Sequence, residues 1–176
     1  MLSILGAALF VDHTLESAPV ASRPVMEAVA HRMGGHLPPA VARMAASPEL
    51  LEGFMTLTAM FDRTTLEPVA RETVIMAVAT RNGCQVCVDL HTRKLRALGA
   101  GTAVIAALRD GTPLPDERLE AVRRFVDAVY ATTGEVSDED LAAFLSHGYT
   151  ERNALEVVMG IGTYTMSTFA NRLTRA

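Results

Sequence analysis

Four residues of this chain have types and a spacing that can do chemistry: two cysteines, a histidine and a glutamate. The segment Cys84-Gln85-Val86-Cys87-Val88-Asp89-Leu90-His91 puts two thiols and an imidazole at i, i+3 and i+7, one face of a helix. Asn82 and Gly83 suit a turn leading into that helix. Cys84 then stands near the helix N-terminus, where unpaired N–H groups and the macrodipole favour a thiolate. Cys87 and His91 are four residues apart, in side-chain reach. A thiol beside an imidazole is the minimal apparatus for a nucleophilic thiolate near neutral pH.

Glu72 stands twelve residues before Cys84 and opens the run Thr73-Val74-Ile75-Met76-Ala77-Val78-Ala79. That run is expected to be buried nearly all round, and a carboxylate there needs a partner because an unpaired buried charge is costly. His91, folding back across Asn82-Gly83, can supply it. A Glu–His–Cys relay follows, in which Glu72 orients and polarises His91, and His91 takes the Cys87 proton directly or through water.

Blander readings stand beside this one. The CxxC could bind zinc with His91 and Glu72, although structural zinc sites usually bring more Cys or His. Two core cysteines can also fall together by chance, and Glu72 could simply pair with Arg71, Arg81 or another arginine. His13, His31, His36 and His147 lack a partner pattern and read as surface or capping residues. The nine Met residues read as core filler. Lys94, the only lysine, reads as a matter of composition.

The elements that must position these residues are helical. Ser47-Pro48-Glu49 reads as an N-cap, a first-turn proline and an acid at the positive helix end, followed by apolar residues at helical spacing from Leu50 to Phe61. Thr64 or Thr65 is expected to cap the next helix, with Pro68 early in it, and Gly99 to stop the cysteine helix. Asp110-Gly111-Thr112-Pro113 is a turn; helices are expected from about 116 to 132, from Ser137, and from Thr150 to Arg172. The chain is expected to be all-α, with roughly eight or nine helices. It reads as a single domain over residues 1–176, with pseudo-repeat halves of about 24–110 and 111–176. The repeat rests on Glu156, which precedes Thr168 by twelve and Asn171 by fifteen, as Glu72 precedes Cys84 and Cys87.

Composition agrees. The chain has 176 residues, 49% apolar, 20% charged and only 5% aromatic, and it is rich in alanine. These proportions exclude disordered, collagen-like and disulfide-scaffold classes and favour helix over sheet. A net charge of −4 leaves no basic footprint for nucleic acid. Met1 to Phe10 is mostly apolar but lacks a cationic start, and Asp12 and His13 follow at once. It is far too short to span a membrane and is expected to dock on the core or on a neighbouring subunit. The expected compartment is the cytoplasm, where a CxxC is more often catalytic or metal-binding than a staple.

Glu72, Cys84, Cys87 and His91 together resemble the carboxymuconolactone decarboxylase superfamily, and within it the alkylhydroperoxidase D branch. Thr14-Leu15-Glu16-Ser17-Ala18-Pro19, Gly35-His36-Leu37-Pro38, Ser47-Pro48-Glu49-Leu50-Leu51, Val136-Ser137-Asp138 and Ser167-Thr168-Phe169-Ala170-Asn171-Arg172 are similar to peroxidase-related members. Two positions depart: Val86 stands where alkylhydroperoxidase D has a further histidine, and Pro39 replaces a common Asn. The resemblance implies an all-α trimer or hexamer that reduces small or organic hydroperoxides without metal or organic cofactor. It implies Cys87 as nucleophile, Cys84 as its disulfide partner, and an external dithiol, lipoyl or thioredoxin-like, as reductant. The alternatives are a muconolactone-type decarboxylase or isomerase, and a non-enzymatic redox-sensing subunit.

Overall fold

The computed structural model describes residues 10–176. Among them are nine α-helices and no strand: α1 (Arg23–Arg32), α2 (Pro39–Met44), α3 (Pro48–Phe61), α4 (Pro68–Arg81), α5 (Gln85–Ala97), α6 (Thr102–Asp110), α7 (Glu117–Thr132), α8 (Asp138–Ser146) and α9 (Glu151–Thr174). A short 3-10 turn, Val20–Ser22, precedes α1. The all-α expectation is met. The apolar opening segment lies outside the described residues except for Phe10, which is exposed. No helix among the described residues is long and apolar enough to cross a membrane.

Most of the punctuation acts as the sequence suggests. Ser47 Oγ accepts from the Leu50 N–H and Ser137 from Asp140, as their cap-like settings suggest, and Asp116, at the expected start of its helix, accepts from Leu119. Gly99 and Gly111 follow α5 and α6 with φ of +75° and +67°, a region that stops a helix at little cost only for glycine. One cap differs. Helix α4 begins at Pro68 behind an extended Glu67, and neither Thr64 nor Thr65 caps it. The Thr64 hydroxyl donates back to the Phe61 carbonyl, and Thr65 is held by the Glu156 carboxylate through its N–H and its hydroxyl.

The chain divides into two compact units, Met1–Thr56 with Ala170–Ala176, and Leu57–Phe169. The first has its own core of Met26, Val29, Val41, Met44, Ala45 and Leu51. Within it the Arg43 guanidinium bonds to Asp12 and to the Thr174 and Arg175 carbonyls. The second contains all the residues with chemical potential. Its centre is α4, which packs against α5, α6 and α7, and this explains its almost continuous burial from Glu72 to Met76. The core beside it joins Met76 and Ala79 of α4 to Cys84, Cys87, Val88 and Leu95, and to Val104, Ile105 and Leu108 of α6.

Helix α9 approaches α3 and α4 at Gly160. A Cβ there would lie 2.7 Å from Phe61 Cζ and 2.8 Å from Val74 Cγ1, closer than real contacts allow. Phe61 and Val74 are both fully buried and have nowhere to yield. Gly160→Ala is therefore expected to destabilise by about 1–2 kcal/mol net, overpacking outweighing the helix-propensity gain. The melting temperature should fall by roughly 2–8 °C. A thermal melt of the variant checks this, and an unchanged or higher melting point would show that the contact can relax.

Candidate active site

The turn between α4 and α5 builds the site. Gly83 adopts φ +63°, and the Gly83 and Cys84 N–H groups close back on the carbonyls of Thr80 and Ala79 at 3.0 and 2.9 Å. The Asn82 side chain donates to Thr168 Oγ1 of α9 at 2.9 Å, fixing the turn from outside. Cys84 becomes the N-cap residue of α5, and Cys87 falls in its first turn. Both sulfurs therefore lie at the positive end of the helix. They are joined as a disulfide with Cα atoms 5.3 Å apart, inside the ordinary range for such bridges.

One turn beyond Cys87, His91 is 5% exposed and Glu72, on the neighbouring α4, is 7% exposed. Their side chains meet: His91 Nδ1 lies 2.6 Å from Glu72 Oε2. With Glu72 as carboxylate, Nδ1–H is the donor and Nε2 is the ring nitrogen that the carboxylate does not use. A pair this buried is expensive to assemble and is weak evidence for stability, which favours a chemical reason for its presence. Arg71 and Arg81 take other partners: Arg71 donates to the Leu66 and Thr64 carbonyls, whereas Arg81 lies over the Tyr130 ring and near Asp127. The arginine-pair reading of Glu72 is thus replaced by the histidine pair.

Two neighbours were not legible as site residues. Tyr164 of α9 sets its ring edge-on to His91, centroids 5.6 Å apart, and edge-on to Phe61 at 5.8 Å. Burial, and then the Glu72 and Asp62 charges, push its phenol well above the usual range, so it remains an O–H donor. Lys94 Nζ lies 3.8 Å from Glu72 Oε1, the carboxylate oxygen that His91 does not use. Its signal in the sequence is the three-residue step from His91, which keeps it on the same helix face. Tyr164 has no comparable local signal; only the packing of α9 brings it in.

The surroundings of the site are structural. Arg109 of α6 donates to Asp89 Oδ1 and Thr92 Oγ1, each at 3.0 Å, and ties α6 to α5. The guanidinium holds the Asp89 carboxyl below the usual range. Val86 is 40% exposed, so its side chain is not part of the buried cluster. Glu156 is buried like Glu72, but its carboxylate is bonded to Thr65, Asn153 and Arg152 rather than to an imidazole. Among the described residues no cluster of three or more His, Cys, Asp or Glu could hold a metal ion.

The all-helical fold, with a CxxC disulfide at one helix start and a buried Glu–His pair one turn beyond it, is an alkylhydroperoxidase-D-like fold. Residues 48–128, which include all four site residues, match the carboxymuconolactone decarboxylase family. The chain is similar to a solved peroxidase-related protein with an alkylhydroperoxidase D core from Ralstonia eutropha JMP134. The TM-score is 0.80 at 21% identity, covering 93% of this chain and 88% of that one. A peroxidase-related protein from Silicibacter sp. TM1040 aligns with TM-score 0.77 at 18% identity, covering 99% and 94%. The debrominase Bmp8, solved as a cysteine-to-alanine variant in complex with 2,3,4-tribromopyrrole, aligns with TM-score 0.72 at 17% identity, covering 98% and 91%. At these identities the likenesses show the fold. No curated protein matches the chain.

Proposed function

We propose that this protein is a thiol-dependent peroxidase that reduces small or organic hydroperoxides. The observation that carries the reading is the buried 2.6 Å contact between Glu72 and His91, one helical turn from a cysteine of a CxxC pair. In the reduced protein Glu72 holds His91 with Nε2 free to take the Cys87 proton. The thiolate attacks the peroxide O–O bond; the alkoxide leaves as alcohol after taking a proton, and Cys87 becomes a sulfenic acid. The Cys84 thiol condenses with it, water departs, and the Cys84–Cys87 disulfide closes. An external dithiol, lipoyl or thioredoxin-like, then opens the bridge by exchange and is itself oxidised to a disulfide. A trimeric or hexameric assembly belongs to the same proposal. A lactone decarboxylase reading uses the acid–base pair but leaves the paired cysteines idle.

The test is peroxide consumption by the reduced protein with a dithiol donor, with and without a chelator. Turnover should survive the chelator. Without donor, mild peroxide should remove both titratable thiols per chain and lower the intact mass by two hydrogens. Two free thiols persisting after peroxide would sink the reading.

A further inference from the structure

The Glu72 carboxylate is used from two sides. Oε2 is spent on His91 at 2.6 Å, whereas Oε1 is 3.8 Å from Lys94 Nζ. The Glu72 side chain is 10% exposed but that of Lys94 is 46% exposed. Both line a cleft of about 270 Å³, together with Asp62, Arg71 and Leu98. A buried acid–base pair must exchange protons with water, and this cleft meets it on the carboxylate side. Lys94 stands at that point, and it is the only lysine in a chain whose other basic side chains are arginine and histidine.

We propose that Lys94 is a positioning residue for the relay: its ammonium, set in the cleft against Glu72 Oε1, holds Glu72 as the carboxylate that lets His91 take the Cys87 proton. The inference rests on the relay reading above. A cation beside a carboxylate favours its charged form, and it is the charge on Glu72 that makes His91 a proton acceptor for the Cys87 thiol. The other groups facing the pair are Tyr164 of α9, whose phenol stays protonated, and Arg71 and Asp62, of opposite sign. Arg71 is bonded to backbone carbonyls, which among the described residues leaves Lys94 as the cation set against the carboxylate.

The experiment compares Lys94→Met, Lys94→Arg and the unaltered protein, all reduced. The rate of alkylation by iodoacetamide is followed against pH, because it reads the thiolate without any peroxide. Lys94→Met should move the rising limb to higher pH and slow alkylation at pH 7 by roughly three- to ten-fold, with the alkaline plateau unchanged. Lys94→Arg keeps the charge and should follow the unaltered protein. Superimposed profiles for all three overturn the proposal, as does an equal shift in both variants, which would mean loss of packing. Should Lys94→Met fold poorly, the folded disulfide form can instead be acetylated or reductively methylated, then reduced. Acetylation should reproduce the shift and methylation should not. A shift in alkylation without peroxide turnover would keep the role of Lys94 and overturn the peroxidase reading instead.

Discussion

Cys87→Ser abolishes peroxide turnover, whereas Cys84→Ser still consumes about one equivalent of peroxide per chain before it stalls; this is the largest effect expected of any single change. The asymmetry follows from helix α5. Cys87 lies in its first turn, four residues before the buried His91, while Cys84 is the N-cap residue outside the helical repeat. Only Cys87 is one turn from an imidazole whose other nitrogen is already bonded to a carboxylate. Without Cys84 the nucleophile still reacts once and is left as a sulfenic acid with no second thiol to close a bridge. A single-turnover peroxide assay, with trapping of the sulfenic acid by dimedone and mass analysis, separates the two variants. Peroxide consumption by Cys87→Ser alone would show that the nucleophile is Cys84 and that His91 serves another purpose.

Much of this site was legible in the sequence because it is made of local spacing. The helix start at Gln85, the turn at Asn82-Gly83 and the shared face of Cys87 and His91 are short-range consequences of turn chemistry and a 3.6-residue period. The Glu72–His91 contact is long-range, but one constraint made it legible: a carboxylate in an apolar helix needs a partner, and the next helix returns through a short turn. Where several partners could satisfy that demand, spacing could not choose, and arginine remained as good a candidate as histidine until packing decided. Tyr164 was out of reach, because it depends on how α9 docks against α3 and α4 through Gly160. Lys94 was read as composition, since a lone lysine carries no pattern until its carboxylate is known. The cap of α4 failed for a similar reason. Thr65 has the right chemistry for an N-cap, but the buried Glu156, 91 residues away, claims it.

Glu72→Gln lowers the peroxidase rate about 10- to 100-fold and leaves the fold largely intact, the second large effect expected. General acid–base contributions typically span about 10²–10⁴. The expected loss sits at or below the lower end because the amide keeps part of the interaction: its carbonyl oxygen can still accept from His91 Nδ1–H. What it loses is the negative charge that makes His91 a better proton acceptor, so less Cys87 thiolate forms near neutral pH. Stability should change little, since Gln matches the shape of Glu and the Lys94 ion pair is half open to solvent, where such pairs contribute little. The measurement is the rate and the thiolate fraction against pH for both proteins, beside a melting curve. Unchanged kinetics with a lower melting point would make Glu72 a structural residue and break the relay. Adding Lys94→Met to Glu72→Gln tests the connection between the two residues. If Lys94 acts mainly through the Glu72 carboxylate, its removal should shift the alkylation profile much less in the Glu72→Gln background than in the unaltered protein. An equally large shift in both backgrounds would place its influence directly on the thiol, with Glu72 a bystander.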